Sequence, residues 1–156
     1  MKFILIDRIT ELLPGQRISA VKALSLAEEY LADHFPSFPV LPGVMMIEPL
    51  TQASAYLVRA TEDFAHSMVV LSEVSNVVYK SFVSPGQIFE LTVEAKEIGA
   101  QSSRFIGTGR CGDTEMVKAR WSLRHFNLAD EDPEMAEMDA KLVATARERL
   151  NLLWRV

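Results

Sequence analysis

Two segments in the second half of the chain alternate apolar and polar residues, from Phe89 to Lys96 and from Val117 to Arg124. A period of two with one polar face is typical of half-buried antiparallel strands. Other apolar runs, separated by Pro-Gly and Gly-Asp turn signals, predict further strands. The predicted strands are Phe3–Ile9, Gln16–Ala23, Met68–Leu71, Val74–Phe82, 89–95 and 117–123.

Helical periodicity appears in three other segments. Leu24–Ala32 has apolar residues at helical spacing and predicts a short helix. Val44–Arg59 is apolar nearly all round, which is the pattern of a central, buried helix. An amphipathic helix is expected after Asp132 and Pro133, which suit an N-cap and the first helical position. One long buried helix with about six antiparallel strands predicts the α+β class.

The formal net charge of −5 over 156 residues is unevenly distributed. Residues 127–156 hold seven acidic and four basic side chains, so this segment carries −3, whereas residues 1–126 carry −2. We therefore expect a domain over residues 1–126 and an acidic linker with a C-terminal helix over residues 127–156. The apolar stripe of that helix indicates packing onto the domain or onto a second subunit. The acidic balance argues against nonspecific nucleic-acid binding, which needs clustered Lys and Arg.

The single cysteine, Cys111, excludes an internal disulfide and a cysteine-based zinc site. Such usage fits a reducing cytoplasm, which is the expected location. Met1–Ile6 is too short for the apolar region of a signal peptide. The longest mostly apolar stretch, residues 40–58, contains two prolines and Glu48, so we expect no membrane span.

The run from His34 to Gln52 carries the chemistry. Its histidine stands on a loop stiffened by three prolines, and the loop enters a helix at Gly43, where free backbone N–H groups can stabilise an oxyanion. Glu48 lies about one and a half turns into the apolar helix, where a buried carboxyl needs a partner or a purpose. Gln52, four residues later on the same face, is placed to hold Glu48. A base, an oxyanion site and an acid within one run predict a catalytic site.

Simpler interpretations exist for each part of this run. A buried Glu48–Gln52 pair is also expected of a structural polar network. The proline loop also suits a rigid connector. The other two histidines, His66 and His125, are interpreted as surface or packing residues because nothing around them in the sequence points to catalysis.

The same run resembles the active-site motif of the 3-hydroxyacyl-acyl-carrier-protein dehydratases of the FabZ/FabA type. That motif reads GHFPGxPxxPGVLxxEAxAQ, and the spacing of 14 from His34 to Glu48 matches it. Phe3–Arg8 is similar to the early strand FLLVDR, and Tyr79–Gln87 is loosely similar to KFRRPVxPGD. The resemblance extends over about residues 3–126. The other residues that match the central motif are Phe35, Pro36, Pro39, Pro42, Gly43, Val44 and Gln52.

The resemblance implies a hot-dog fold, in which an antiparallel sheet wraps one long helix. It also implies a homodimer whose two sites combine the histidine of one subunit with the glutamate of the other, and often a trimer of dimers. The implied reaction removes water from a 3-hydroxyacyl thioester to give the trans-2-enoyl thioester, without a metal or redox cofactor. His34 is then the base, Gly43 N–H the oxyanion donor and Glu48 the acid that assists loss of the 3-hydroxyl, with Gln52 orienting Glu48.

The implied substrate is an acyl chain on an acidic acyl carrier protein, which requires an apolar tunnel and a basic landing site. We expect five residues near the motif to contact the acyl group, although core packing is an equal explanation: Phe35, Phe38, Pro42, Val44 and Met45. The candidate residues for carrier docking are Lys80, Arg104, Arg110, Lys118, Arg120 and Arg124. Cross-strand pairing with glutamates is the alternative fate of these cations.

Three departures from the motif leave other functions open. Asp33 and Ser37 replace glycines beside the histidine, and Pro49 replaces the alanine after Glu48. A hot-dog thioesterase and a non-catalytic subunit that binds acyl thioesters or their carrier are therefore the alternatives.

Overall fold

The computed structural model describes residues 3–155, and Met1, Lys2 and Val156 lie outside the described residues. The described chain contains six strands and three α-helices. The strands are β1 (Arg8–Leu13), β2 (Arg17–Ala23), β3 (Met68–Tyr79), β4 (Ile88–Ile98), β5 (Ser102–Cys111) and β6 (Thr114–Phe126). The helices are α1 (Tyr30–Asp33), α2 (Val44–Thr61) and α3 (Ala136–Leu153).

The six strands form one antiparallel sheet in the order β1-β2-β4-β5-β6-β3. The inward face of this sheet packs against α2, whose Leu50, Leu57 and Val58 are fully buried. Trp121 of β6 donates its indole N–H to Ser54 Oγ of α2 at 2.9 Å, so the helix is also fixed by a buried hydrogen bond. The predicted α+β class, with one long buried helix on an antiparallel sheet, is confirmed.

The first strand begins later than the pattern predicted, at Arg8 instead of Phe3. Residues 3–6 run beside α2, where Leu5 N–H donates to Gln52 Oε1 and Gln52 Nε2 donates to the Phe3 carbonyl. The helix predicted over Leu24–Ala32 is also wrong for most of its length, since only Tyr30–Asp33 is helical. Leu24 instead exchanges backbone hydrogen bonds with the turn at residues 86–87, which holds this segment extended.

The predicted number of six strands is correct, although two predicted strands form a single strand and one observed strand was not predicted. The segments predicted as Met68–Leu71 and Val74–Phe82 are one strand, β3, whose register shifts at two bulges. Strand β5 was not among the predicted strands because its inward positions include Gly107 and Gly109 in place of apolar side chains. A Cβ on Gly109 would lie 2.1 Å from Phe89 Cζ, and one on Gly107 would lie 2.6 Å from Trp121 Cη2. The large aromatic rings of β4 and β6 therefore occupy the space that these glycines leave.

The C-terminal helix packs on the sheet–helix body. Asp132 Oδ1 accepts from Glu134 N–H and begins a 3₁₀ turn at Pro133 that leads into α3, close to the predicted start. Leu150 and Leu153 of α3 are buried in the same hydrophobic cluster as α2. Asp139 accepts hydrogen bonds from Ser67 Oγ and from the N–H groups at 128 and 129. Over residues 3–155 no helix is both long and apolar enough to cross a membrane.

Candidate active site

The loop before α2 presents His34 to solvent on a constrained backbone. Helix α1 ends at Asp33, His34 follows as its half-buried C-cap residue, and Phe35 has a positive φ of 50°. The imidazole lies against the Phe35 ring with 4.3 Å between the two ring centroids. Leu41 N–H donates to the Val83 carbonyl at 2.8 Å, which fixes the far end of the loop. The three prolines and this bond hold the histidine in a defined region of the surface.

Gly43 forms the entrance to α2 and provides the predicted oxyanion donors. Within residues 3–155, the N–H groups of Gly43 and Val44 have no hydrogen-bond acceptor. The ring of Tyr79, at the end of β3, lies over Gly43, since a Cβ there would be 3.3 Å from Tyr79 Cε1. Burial raises the pKa of the Tyr79 phenol. The free amides and the positive end of the helix dipole suit a developing negative charge.

Glu48 is held as the motif predicted. Gln52 Nε2 donates to Glu48 Oε1 at 3.0 Å, and the same amide bonds to the Phe3 carbonyl and the Leu5 N–H. These three partners fix which way the amide points, because only its oxygen can accept from Leu5. Pro49 follows Glu48 inside a helix that continues unbroken from Val44 to Thr61. Glu48 is half-buried, and the hydrogen bond from Gln52 orients its carboxylate. The next residue in the helix, Pro49, has no backbone N–H.

A cavity of about 360 Å³ opens beside Glu48 and Gln52. Its walls come from residues 3–6, α2, the start of β3 and the end of α3, which contributes Arg149 and Leu153. None of the five predicted acyl-contacting residues lies in these walls. Burial raises the pKa of Tyr56 in the wall, while the positive charges of Arg149 and Arg59 oppose that shift. The contribution of α3 to this cavity was not predicted, because its sequence contains only a packing stripe.

The acyl-contacting candidates instead surround the loop. Phe35, Phe38 and Val44 are exposed, Val44 to 75%, whereas Met45 is half-buried and Pro42 is buried. The Phe38 ring meets the Phe82 ring edge to face, with centroids 5.8 Å apart. The exposed apolar side chains on and around this loop, which we call the exposed apolar patch, are Phe35, Phe38, Val44, Tyr79 and Phe82. Large exposed apolar patches mark surfaces that become covered.

No hydrogen bond joins His34 to Glu48 among residues 3–155, and the cavity beside Glu48 does not include His34. Glu48, Gln52 and the Gly43 amide share α2, whereas the histidine lies on the preceding loop. One chain therefore brings the acid and its positioning amide together and leaves the base apart from them.

The six carrier-docking candidates differ in whether a neighbouring group pairs with their charge. Within residues 3–155, Lys118 and Arg120 of β6 form no ion pair. The other four have local partners, as the cross-strand alternative predicted for some of them. These partners are Glu115 for Lys80 at 2.7 Å, Glu97 for Arg104, the Asp113 carbonyl for Arg110 and the Phe126 ring for Arg124.

Among residues 3–155, neither His34 nor Glu48 belongs to a group of side chains placed to bind a metal ion. Within the described chain, potential metal ligands do gather at the opposite end of α2, where Glu62, His66 and His125 lie together. This grouping was not predicted, because one of its members is about 60 residues from the other two in the sequence.

Sequence comparison places the chain in a known family. A model of the FabA-like domain matches residues 1–118. The 3-hydroxyacyl-[acyl-carrier-protein] dehydratase FabZ of Wolbachia pipientis wMel is 34% identical over 108 residues, which cover 68% of this chain and 76% of that protein. The enzyme of the same name from Symbiobacterium thermophilum is 32% identical over 128 residues, covering 82% and 88% of the two chains.

Comparison of folds agrees with the sequence match. The dehydratase heterocomplex ApeI:P from Xenorhabdus doucetiae superimposes with a TM-score of 0.70 at 16% identity, covering 85% of this chain and 90% of that one. A Streptococcus mutans protein bound to acetyl CoA gives 0.61 at 13% identity, covering 80% and 91%. The hot-dog architecture expected from the motif is thereby confirmed. The chain belongs to the FabA-like family and is a hot-dog dehydratase of the FabZ type.

Proposed function

We propose that the protein removes water from 3-hydroxyacyl thioesters on an acyl carrier protein, giving trans-2-enoyl thioesters in fatty-acid-type biosynthesis. The observation that carries this proposal is the pairing of an oriented Glu48 with unoccupied N–H groups at the start of the same helix. Both groups follow a proline-stiffened loop that bears His34. Family membership and the matching motif support the same reaction.

Each residue takes one part of the elimination. His34 removes the α-proton, which becomes acidic enough only when negative charge on the thioester oxygen is stabilised. The N–H of Gly43 stabilises that oxygen. The electron pair of the broken C–H bond forms the new double bond as the C–O bond breaks, and Glu48 protonates the departing hydroxyl directly or through a held water. Gln52 is a positioning residue that acts through Glu48.

The proposal includes a homodimer, because a complete site needs a histidine from a second chain. Strand β3 supports this assembly, since it lies at one edge of the sheet and, among residues 3–155, pairs with β6 alone. Its edge region exposes Leu71, Val78 and Tyr79, which a second copy would cover. A trimer of dimers is the larger assembly expected of such proteins, and sedimentation or native mass spectrometry measures both.

The acyl group enters, in this proposal, beneath the exposed apolar patch and continues toward Glu48. Phe35, Phe38, Val44, Met45 and Pro42 contact it when the patch is covered by the second subunit. The arrangement needs no metal or redox cofactor, because the elimination transfers one proton to His34 and one from Glu48, releases water and involves no net oxidation or reduction.

Carrier docking is assigned first to Lys118 and Arg120, since they lack ion-pair partners among residues 3–155. Reversing both charges should lower activity on a carrier-bound substrate by about 10-fold or more and leave a small soluble thioester nearly unaffected. Lys141→Glu is the control, since that lysine is also exposed but lies on α3, where it pairs with Glu137. Equal losses on both substrates would contradict docking at this strand.

The boundary between a domain of residues 1–126 and an appendage of residues 127–156 is part of the proposal. The supporting feature is that the sheet ends with β6 at Phe126 and a 3₁₀ turn follows at Leu128–Asp130. A cytoplasmic location is proposed with it, since acyl carrier substrates and a single unpaired cysteine suit a reducing compartment. Fractionation of cells expressing the tagged protein tests the location.

One assay separates dehydration from thioester hydrolysis and from binding without turnover. The purified protein is incubated with 3-hydroxyacyl and crotonyl thioesters while enoyl absorbance and free thiol are followed. Interconversion of hydroxyacyl and enoyl thioesters supports the proposal. Thiol release would indicate a thioesterase, a function that the shared fold permits. No turnover, with His34→Ala indistinguishable from the unmodified protein, would indicate a binding subunit.

A further inference from the structure

The end of α2 opposite the active site gathers three metal-ligating side chains from two elements. Glu62 is the C-cap residue of α2, and His66 follows it by one turn. His125 comes from the end of β6 and is buried to 99% on the inward face of the sheet, with 1% exposure. One ligand atom from each of the three residues lies within 4.8 Å of the other two. The proposed catalytic mechanism uses none of these groups.

The distances between the groups are comparable to the edges of a metal coordination shell, although each histidine lies nearest a different carboxylate oxygen of Glu62. His66 Nδ1 lies 3.0 Å from Glu62 Oε1, and His125 Nδ1 lies 3.6 Å from Glu62 Oε2. Ligands at about 2.0–2.1 Å from a tetrahedral Zn²⁺ are separated by about 3.3–3.4 Å. The two observed separations lie on either side of that value. The two imidazole rings tilt toward each other, with centroids 5.8 Å apart.

His125 is a buried side chain without a hydrogen-bond partner. Neither of its ring nitrogens has one among the described residues, since the 3.6 Å approach to Glu62 is too long. Buried polar groups are nearly always satisfied, and an exception calls for an explanation such as a bound ion, an ordered water or strain.

We propose that Glu62, His66 and His125 bind a divalent transition metal, Zn²⁺ by preference. Two imidazoles and one carboxylate are an established ligand set for this ion and leave a fourth position for water. The metal would join the end of α2 to the end of β6, next to the point where residues 127–156 leave the sheet. Its role is therefore structural reinforcement of that junction, separate from the dehydratase reaction. Arg59 is the nearby cation that opposes it, because its charge acts on both Glu62 and His125.

The test uses full-length protein stripped with a chelator and titrated with Co²⁺, whose visible absorption reports tetrahedral coordination. We expect one Co²⁺ per chain, displacement of Co²⁺ by Zn²⁺, and a Tm higher by roughly 5–10 °C when the metal is about 100-fold above its Kd. The matched control is His34→Asn, which removes the third histidine of the chain and should bind Co²⁺ normally. It distinguishes this cluster from general histidine affinity.

Two variants remove a ligand without changing the core greatly. His66→Ala and Glu62→Gln should each weaken Co²⁺ binding by at least about 100-fold, since loss of an outer-shell partner alone already costs 10–100-fold. Both are half-buried positions, so circular dichroism should report a folded protein. Arg59→Met should tighten binding by removing a repelling charge. Absence of tetrahedral Co²⁺ absorption, or identical titrations of His66→Ala and unmodified protein, would overturn the proposal. The cluster would then be a structural group of polar side chains that binds no metal.

Discussion

Each end of helix α2 carries a glutamate paired with a polar side chain, and the two ends differ in whether a histidine of the same chain lies beside that pair. At each end a glutamate bonds to a polar side chain four residues later, Glu48 to Gln52 and Glu62 to His66, both at 3.0 Å. At the far end, His125 joins that pair from within the same chain. At the near end, no histidine joins it. Under the two proposals, the motif that is continuous in sequence needs a second chain to complete its site, whereas residues about 60 positions apart complete the metal site within one chain.

The largest difference between the two ends should appear on replacing each glutamate with glutamine. Glu48→Gln keeps the hydrogen bond from Gln52 but removes the transferable proton, so we expect kcat to fall by roughly 10²–10⁴-fold. Glu62→Gln is the matched control and should retain nearly full activity. Steady-state rates on a crotonyl thioester measure both. Comparable losses in the two variants would remove the distinction between a catalytic and a structural end.

Gln52→Glu should have a smaller effect that is specific to positioning. The new carboxylate still accepts from Leu5 N–H but no longer donates to Glu48, and it places a like charge beside that residue. We expect about a 10-fold loss in kcat/KM and a displacement of the alkaline limb of the pH profile to higher pH, because Glu48 acts as the acid and a neighbouring negative charge disfavours its ionisation. A lower rate with an unmoved pH profile would indicate that Gln52 serves only to anchor the N-terminal segment.

Gly43→Ala should reduce activity by a few-fold through steric pressure. The added methyl group would lie 3.3 Å from Tyr79 Cε1, a contact that requires the ring to move by a few tenths of an ångström. The combined variant Gly43→Ala/Tyr79→Ser, which removes the ring, should recover part of the lost rate. If the double variant is no better than the single one, the loss comes from the helix backbone and the ring contact is irrelevant.

The smallest effect on activity is expected from Asp139→Asn, which loosens α3 instead. Burial alone would raise the pKa of Asp139, but hydrogen bonds from Ser67 and from the N–H groups of Ala129 and Leu128 outweigh it and hold the pKa below that of an ordinary aspartate. A lowered pKa in the folded state contributes stability above the unfolded value, and that stability disappears as the pH falls through the folded value.

Hydrogen exchange of α3 tests this expectation. Protection of α3 in the unmodified protein should decrease on acidification below about pH 4, before the sheet opens. Asp139→Asn should exchange faster at neutral pH and lose that acid dependence, with kcat unchanged. Uniform exchange of α3 and sheet at every pH would mean that Asp139 does not control this attachment.

Much of the fold can be predicted from local periodicity, and the predictions that failed have specific physical causes. The alternation in β4 and β6 and the apolar surface of α2 are direct consequences of burial, so they could be predicted from the sequence. Strand β5 could not, because Gly107 and Gly109 make room for rings on neighbouring strands. That need is visible only when the strands are paired.

The candidate site divides in the same way. Glu48 and Gln52 lie four residues apart on one helix, so their hydrogen bond followed from spacing alone. The approach of Tyr79 to Gly43 and the entry of Arg149 into the cavity depend on packing between distant elements. The cluster at the other end of α2 could not be predicted for the same reason, since His125 is close to Glu62 only after the sheet has folded around the helix.

The measurement that tests the shared site most directly is complementation between two inactive variants. His34→Asn and Glu48→Gln are mixed under conditions that exchange subunits, and native mass spectrometry confirms that heterodimers form. Random exchange in a two-fold dimer should restore about a quarter of the original activity, because half of the dimers then contain one intact site. Mixing His34→Asn with the double variant should restore none. Heterodimers that form but remain inactive would contradict a site built from two chains.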